Sequence, residues 1–349
     1  MTLKQLLDGY PKDKRAYVVA ERSWACNDPV LSRAFAKELA LSGRASAEEI
    51  LETLVGAARN WLEDAMAGQY GPIIDVSDTM KSLVEKTAAG FDGLMERSAV
   101  IKTKAKAQRS ILKANFNDLE DCITDQKMGI PFPSLKAVPA DATIVNLPDP
   151  DRSVVKIDSI HDVIASRRSV RAWGTGGLTK AELSWLLWAT QGIRGGVSGR
   201  PNLRNVPSGG SRHPFETYLA VHDVEGLSPG IWRYRPTKHD LVLVRLGGDF
   251  ERTLSEAANE QDFVGSAPVV FLWSAIPYRT EWRYCTAAHK IILQDSGHLG
   301  QNLYLAATAI DCGTCGIGAY DQKLMDEFLG LDGEEEFVVY CAPVGRMKT

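Results

Sequence analysis

The front third of the chain shows a helical pattern of apolar positions. Ser46 and Glu49 have capping-box spacing, and apolar residues then recur every three or four positions over 50–65. A second pattern of this kind starts at Ser77 and extends towards Cys122. We therefore predict that residues 1–130 form an α-helical domain.

The rest of the chain alternates between strand patterns and helix patterns. Thr179 and Glu182 form another capping box, which predicts the start of a helix. Pro268–Ala275 is almost entirely apolar, which is typical of a central strand buried on both faces. Further strands are predicted over Phe215–Asp223, Gly230–Arg235, Leu241–Leu246 and Phe337–Val344. Further helices are predicted over Ala287–Ile310 and Lys323–Leu329.

A cluster of prolines separates the two patterns. Because proline fixes the backbone and lacks an N–H donor, such a cluster favours an extended linker. We predict a linker over residues 131–157, after the helical domain 1–130 and before a second domain, 158–349. The prolines are Pro131, Pro133, Pro139, Pro148 and Pro150.

Composition and charge exclude several classes of protein. The chain has 349 residues, of which 44% are hydrophobic and 24% are charged, and its net charge is −4. This charge gives no reason to expect a nucleic-acid or membrane-surface partner. No stretch reaches the ~20 apolar residues of a membrane span, and the N-terminus lacks the apolar core of a secretory signal. Six cysteines in so long a chain do not indicate a disulfide scaffold, so we expect a cytoplasmic protein with reduced cysteines.

Two short motifs carry candidate binding chemistry. SRRSVR, at Ser166–Arg171, brings three arginines together, and these repel one another unless an anion lies among them. NVPSGGSRHP, at Asn205–Pro214, combines prolines and glycines directly before a strand, which suits a tight turn against a flat or anionic ligand. Taken singly, the first motif is also compatible with a solvated helix end, and the second with a structural loop.

The segment CGTCGIGAYD, at Cys312–Asp321, has the CxxC spacing of some metal and redox sites. A structural zinc needs four ligands, and no second ligand pair stands near this one in the sequence. A thioredoxin-like dithiol would lie at the start of a helix that directly follows a strand, whereas this segment follows a long helix. We predict no metal site, and interpret the cysteines as small buried residues beside glycines that let the backbone approach a ligand.

Taken together and in order, the motifs resemble those of the nitroreductase superfamily, most closely its SagB-type dehydrogenase branch. The resemblance covers about residues 145–349, and we identify no counterpart for residues 1–130. It implies an α+β fold with a central mixed β-sheet flanked by helices, and FMN bound at the interface of a homodimer. The matching stretches are LP.P, RRSVR, LTKAELSWLLWATQG, PSGGSRHPFETYL, LSPGIWRYRP, WRY, DSGHLGQNLYLAA, GIGAYD, LGLDGEEEFVVY and PVGR.

Four segments match the FMN-binding elements of that family. The first supplies positive charge for the phosphate, and the second is a loop along the isoalloxazine ring, contributed by the partner subunit. The third is a backbone segment near the ring, and the fourth is a C-terminal basic residue on the phosphate. In that order, the matching residues are Arg167, Arg168, Ser169 and Arg171; Pro207, Ser208, Gly209 and Gly210; Gly316 and Ile317; and Arg346.

Arg283 and Tyr284 stand where SagB-type azoline oxidases carry a Lys-Tyr pair as the catalytic acid–base. The resemblance implies that Tyr284 removes a proton while a substrate C–H delivers hydride to flavin N5, with oxygen or another acceptor reoxidising the flavin. A nearby cation favours the phenolate form of a tyrosine, and arginine can supply that charge although it carries protons poorly. The Trp-Arg-Tyr run is also compatible with ordinary packing before a helix.

We therefore predict an FMN-dependent oxidoreductase that acts on an amino-acid-derived or peptide-derived substrate in a biosynthetic pathway. One alternative is an NAD(P)H-dependent nitro or quinone reductase, which would use the same flavin site. An alternative from another class is a carrier-binding or peptide-binding module with a degenerate flavin domain. The basic stretch Lys102–Lys113 prompts this last reading, although a solvated helix face also explains it.

Overall fold

A computed structural model describes residues 100–114, 116–133, 135–195, 203–247 and 250–348. The chain divides into two units, residues 1–109 and 110–349. In the first unit only residues 100–109 are described, and they are helical and exposed. The helices predicted before residue 100 lie outside the described residues.

The second unit contains one sheet of seven strands. They are β1 (Ile144–Asn146), β2 (Phe215–Val221), β3 (Gly230–Arg235), β4 (Asp240–Leu246), β5 (Val269–Ala275), β6 (Cys312–Thr314) and β7 (Phe337–Arg346). Their order across the sheet is β1-β4-β3-β2-β5-β7-β6, and these neighbours pair antiparallel. A parallel bridge between Ser169 and Thr314 continues the pairing beside β6, so the pairing is mixed.

Helices cover both faces of this sheet. In the described part of the unit they are α1 (Ile160–Ser166), α2 (Lys180–Gln191), α3 (Phe250–Ala257), α4 (Asp262–Gly265), α5 (Tyr278–Tyr284), α6 (Ala288–Thr308) and α7 (Gln322–Leu329). Apolar residues of α2 and α6 form one core with the sheet, and those of α3 and α7 form a second core on the other face. None of the described helices combines the length and apolar character needed to cross a membrane.

Strand β5 shows how the sequence builds two cores at once. Phe271 and Trp273 belong to the core with α2 and α6, whereas Val270 and Leu272 belong to the core with α3 and α7. All seven residues of the strand are buried, which confirms the predicted central strand. Because side chains alternate along a strand, an unbroken apolar run is needed to fill both sides. Burial of each large side chain contributes about 1.5–3 kcal/mol.

Helix ends fix the positions of two predicted motifs. The Thr179–Glu182 capping box is present at the start of α2, as predicted. Ser159 caps the start of α1, and Arg167 ends that helix, so the arginine run leaves it as extended chain. Asp321 caps α7, which ends at Gly330 in the left-handed conformation.

Three short elements have no clear signal in the sequence. Strand β1 lies within the proline-rich segment and pairs with β4 at the sheet edge. Strand β6 has only three residues, too few for a pattern to show. Helix α5 contains the Trp-Arg-Tyr run and ends at Cys285, whose φ of 44° breaks the helix before α6 begins.

Candidate functional site

The glycine-rich loop before β2 lies against the C-terminal end of α5. A Cβ atom added to Gly210 would be 2.4 Å from the hydroxyl oxygen of Tyr284, so only glycine leaves room for this phenol. Gly210 has a φ of 60°, a conformation that also favours glycine. Pro207 and Gly210 are exposed, whereas Tyr284 is half-buried. The structure therefore brings the predicted ring-facing loop and the predicted proton carrier together.

Asp295, in the middle of α6, anchors this loop. It accepts hydrogen bonds from the Ser208 hydroxyl (2.5 Å) and from the backbone N–H of Gly209 (3.2 Å). The Ser208 hydroxyl in turn accepts from the N–H of His213. Burial raises the pKa of Asp295, although both hydrogen bonds act to lower it. A Cβ on Gly209 would be 2.4 Å from Ile291, so the loop is seated directly on α6.

Two guanidinium groups surround Tyr284. That of Arg283 lies 5.2 Å from the Tyr284 ring centroid. Arg212 donates from Nε to the carbonyl of Gly210 (2.9 Å) and lies over the rings of Phe132 (4.7 Å) and Trp282 (5.2 Å). Burial lowers the pKa of Arg212 and nearby Arg283 lowers it further, while interaction with Tyr284 opposes the change. The motif SRHP contains Arg212, but its place beside a tyrosine 72 positions later is not visible in the sequence.

Tyr304, on α6, connects the first motif to the glycine segment after β6. Its hydroxyl lies 3.0 Å from the Ser169 hydroxyl and accepts from the backbone N–H of Gly316 (2.8 Å). The guanidinium of Arg167 lies over the Tyr304 ring at 5.2 Å. Tyr304 is not among the site residues predicted from the sequence, because a tyrosine within an apolar helix gives no signal of its own.

The glycine segment itself is tightly enclosed. A Cβ on Gly316 would be 1.9 Å from the Tyr340 hydroxyl, so glycine is required there. Ile317 is buried and forms an isolated bridge with Cys341 of β7. The neighbouring Cys312 and Cys315 are both buried, and burial raises the pKa of the Cys312 thiol to about 11. A thiol that is both buried and held in this form is a poor nucleophile and a poor metal ligand.

The arginine run itself is open to solvent. Arg168, Ser169 and Arg171 are exposed and Arg167 is half-buried. Arg168 donates to the carbonyls of Ala165 and Arg167, which turns its guanidinium back over the end of α1. Within the described ranges, no ion pair joins a carboxylate to Arg167, Arg168 or Arg171. Three positive charges are thus gathered without a counter-charge from the residues that the structure describes.

Arg346 is placed differently, because it forms an ion pair with Glu182 of the α2 capping box. Its two terminal nitrogens donate to the two carboxylate oxygens at 2.8 and 2.6 Å, and one of them also reaches Cys312 Sγ at 3.4 Å. Burial acts to raise the pKa of Glu182, but hydrogen bonds from Arg346 and Thr179 outweigh it and the net pKa is lowered. The bond to Glu182 also raises the pKa of Arg346.

We call the loop at residues 207–210 the ring half, and the arginine run at residues 167–171 together with Arg346 the phosphate half. The ring half is bound at Asp295 of α6, and Arg167 and Ser169 of the phosphate half contact Tyr304 of the same helix. Asp295 and Tyr304 are nine positions apart, about two and a half helical turns, so they face opposite sides of α6 and are separated by roughly 13 Å along its axis. One chain therefore supplies two halves that do not face each other.

Comparison with known proteins gives a consistent result. Residues 164–346, just over half of the chain, match the Nitroreductase family. A protein of Methanocaldococcus jannaschii that bears a nitroreductase name is 34% identical over 197 residues, covering 56% of this chain and 94% of that protein. A crystal structure of a protein named as a nitroreductase from Anabaena variabilis superposes with a TM-score of 0.51 at 26% identity, over 60% of this chain and 42% of that one.

A third relative is the trifolitoxin-processing protein TfxB of Rhizobium leguminosarum bv. trifolii. It is 28% identical over 131 residues, which cover 36% of this chain and 35% of TfxB. The chain thus spans about a third of TfxB and less than half of the Anabaena protein.

Proposed function

The chain belongs to the nitroreductase family, and on that premise we propose that it is an FMN-dependent oxidoreductase of the SagB type. Its substrate in this proposal is amino-acid-derived or peptide-derived, and its role is biosynthetic. One observation carries the proposal: the hydroxyl of Tyr284 lies against Gly210. A side chain that can take a proton is therefore in contact with the loop that we assign to the flavin ring.

The residues of the phosphate half fit FMN through the chemistry of their donors. Arg167, Arg168 and Arg171 offer positive charge without a carboxylate partner in the described structure, which suits a phosphate dianion. Ser169 adds a hydroxyl beside them. Arg346 also fits, because a guanidinium has five N–H donors and its bonds to Glu182 and Cys312 leave others free.

The ring half supplies a backbone surface for the flavin ring rather than phosphate contacts. Pro207 and Gly210 are exposed and Ser208 and Gly209 are half-buried, so the loop presents a small backbone surface that an aromatic ring can approach closely. Gly316 and Ile317 are the other backbone segment we assign to the ring. In this proposal the loop and the glycine segment close on the flavin from different chains.

When bound, FMN accepts hydride from a substrate C–H. In our proposal Tyr284 takes the proton that the substrate loses, and Arg283 and Arg212 place positive charge near the phenol. Arginine at position 283 supplies charge but no transferable proton, because it stays protonated. Proton transfer therefore rests on the tyrosine alone.

The likeness to TfxB supports the proposed substrate class. That relative is named for processing trifolitoxin, and a processing role agrees with a substrate built from amino acids.

The position of the two halves on α6 supports a homodimer. Because the ring half and the phosphate half face opposite sides of α6, a single chain does not close them on one FMN molecule. A two-fold dimer presents the ring half of one chain to the phosphate half of the other and forms two equal sites.

A second candidate is an NAD(P)H-dependent reductase of nitro or quinone compounds, favoured by the 34% identity to a protein with a nitroreductase name. Anaerobic addition of NADH or NADPH to the FMN-loaded protein separates the two. The dehydrogenase proposal predicts that the flavin absorbance persists, whereas rapid bleaching would favour the reductase.

A further inference from the structure

A segment that precedes the sheet in sequence is fastened along α5. This covering segment, residues 116–133, places the Phe116 ring edge-to-face on Tyr284, with the centroids 6.1 Å apart. Near its other end, Phe132 packs on Trp282 at 5.4 Å, and the Trp282 indole N–H donates to the carbonyl of Ile130 (2.9 Å). The segment therefore lies over the tyrosine that we assign to proton transfer.

Two polar contacts hold the middle of the covering segment to the same helix. The backbone N–H of Gln126 donates to the carbonyl of Trp282 (3.0 Å), and the Tyr278 hydroxyl donates to Asp125 (2.6 Å). These contacts are noncovalent, and the bond between Tyr278 and Asp125 is exposed to solvent, so the segment can be lifted without breaking a covalent bond.

Cys122 and Cys285 meet where the covering segment crosses the end of α5. The contacts of Phe116 with Tyr284 and of Gln126 with Trp282 hold the chain on either side of Cys122 against the end of α5. Interaction with the Cys285 thiol is also the largest cause of the raised pKa of Cys122. Both are half-exposed, whereas the three other described cysteines, Cys312, Cys315 and Cys341, are buried. Cys285 directly follows Tyr284 and has a φ of 44° and a ψ of −126°, a strained conformation for a residue with a side chain.

We propose that Cys122 and Cys285 form a redox-responsive dithiol, which a peroxide oxidises to a disulfide that fastens the covering segment to the end of α5. One thiol takes an oxygen atom from hydrogen peroxide and releases water, giving a sulfenic acid. The second thiol then attacks that sulfur, forms the S–S bond and releases a second water molecule. The two electrons lost by the sulfurs reduce the peroxide, and a small dithiol reverses the step.

The disulfide would control access to Tyr284, because the covering segment lies on this residue. With the disulfide formed, Phe116 stays on Tyr284 and access to the phenol is restricted. With the thiols reduced, the segment is held only by the noncovalent contacts described above. In reducing compartments, disulfides are usually transient and act in catalysis or redox sensing. Formation of this disulfide depends only on the two thiols and not on which substrate the protein binds.

To test the proposal, the purified full-length chain is treated with hydrogen peroxide, and the remaining thiols are then alkylated. The protein is digested without reductant, and the cysteine-containing peptides are identified by mass spectrometry. We expect one dominant cross-link, between the peptides of Cys122 and Cys285. Hydrogen exchange over residues 116–133 should slow severalfold on oxidation and return to its original rate with dithiothreitol. The same cross-link should form in Tyr284→Phe, so this outcome does not depend on the proposed reaction.

Cys122→Ser and Cys285→Ser are the matched variants. Each should fold as the wild type does and show no change in hydrogen exchange over residues 116–133 after peroxide treatment. Recovery of both cysteines as separately alkylated or overoxidised peptides would overturn the proposal. So would peroxide-induced slowing of exchange that persists in Cys122→Ser.

Discussion

The hydroxyl oxygen of Tyr284 lies 2.4 Å from the position that a Cβ atom on Gly210 would occupy. Gly210 belongs to a loop that Asp295 fixes to α6, and Tyr284 ends a helix that begins after β5. This contact joins two segments that are far apart in sequence, and in our proposal it marks where a substrate meets both the loop and the residue that takes its proton.

Replacing Gly210 by alanine should displace Tyr284 or the loop and weaken FMN binding. The new methyl group meets the phenol, and the φ of 60° costs a further ~1–2 kcal/mol for a residue with a side chain. FMN binding can be followed by quenching of flavin fluorescence. Gly330→Ala is the control, because it has a φ of 70° but no atom within 4 Å of the added Cβ. Equal FMN affinity in both variants would argue against the assigned role of the loop.

Tyr284→Phe should retain FMN and lose turnover by roughly 10²- to 10⁴-fold, the usual contribution of a positioned acid–base group. The phenyl ring keeps its packing on Phe116 while the ionisable hydroxyl is gone. Tyr278→Phe serves as the control, since its hydroxyl is on the same helix but binds Asp125. Unchanged turnover in Tyr284→Phe would remove the tyrosine from the mechanism and leave the flavin site intact.

Two variants with complementary defects should restore each other if the site is shared between chains. Arg168→Gln with Arg171→Gln damages the phosphate half, and Gly210→Val damages the ring half. After unfolding and refolding together, mixed dimers contain one site with both halves intact, so the mixture should regain bound FMN that neither variant holds alone. A mixture without bound FMN would place both halves of each site in one chain.

The Glu182–Arg346 pair should make the free energy of unfolding depend on pH in the acidic range. The pKa of Glu182 is lowered on folding, so its stabilisation is present above its unfolded pKa, about 4.3, and is lost as the pH falls through the lower folded pKa. Glu182→Gln should cost at most about 3 kcal/mol at neutral pH, because a quarter of the Arg346 side chain is exposed. Urea unfolding at several pH values measures this.

In that series, the difference between Glu182→Gln and the wild type should shrink as the pH falls. Glu256→Gln removes an exposed i,i+4 pair with Arg252, which solvent screens, and should change stability much less than Glu182→Gln does. A cost for Glu182→Gln that does not vary with pH would show that the pair is not the source of the stabilisation.

Much of the fold could be predicted because its signals are local. The apolar run of β5, the capping box of α2 and the motif order together predict a nitroreductase-like fold with a mixed sheet, and this prediction is confirmed. Strand β6 was not predicted, because three residues are too few to show an alternating pattern. The helices predicted within residues 1–99 lie outside the described residues.

The site could be predicted only where residues belong to a motif. Gly210 and Tyr284 come from motifs, and the structure adds that they touch. Asp295 and Tyr304 are single polar residues in an apolar helix, and their partners come from distant loops. The pair between Glu182 and Arg346 spans 164 positions, and long-range pairing of this kind depends on the folded sheet rather than on any local pattern.

The central claim is that the two halves on α6 bind FMN. The most direct measurement is the visible spectrum of the purified protein, before and after addition of FMN and removal of the unbound flavin. The account predicts a yellow protein that retains one FMN per chain and loses it in Gly210→Val. A colourless protein that takes up no FMN would contradict the account.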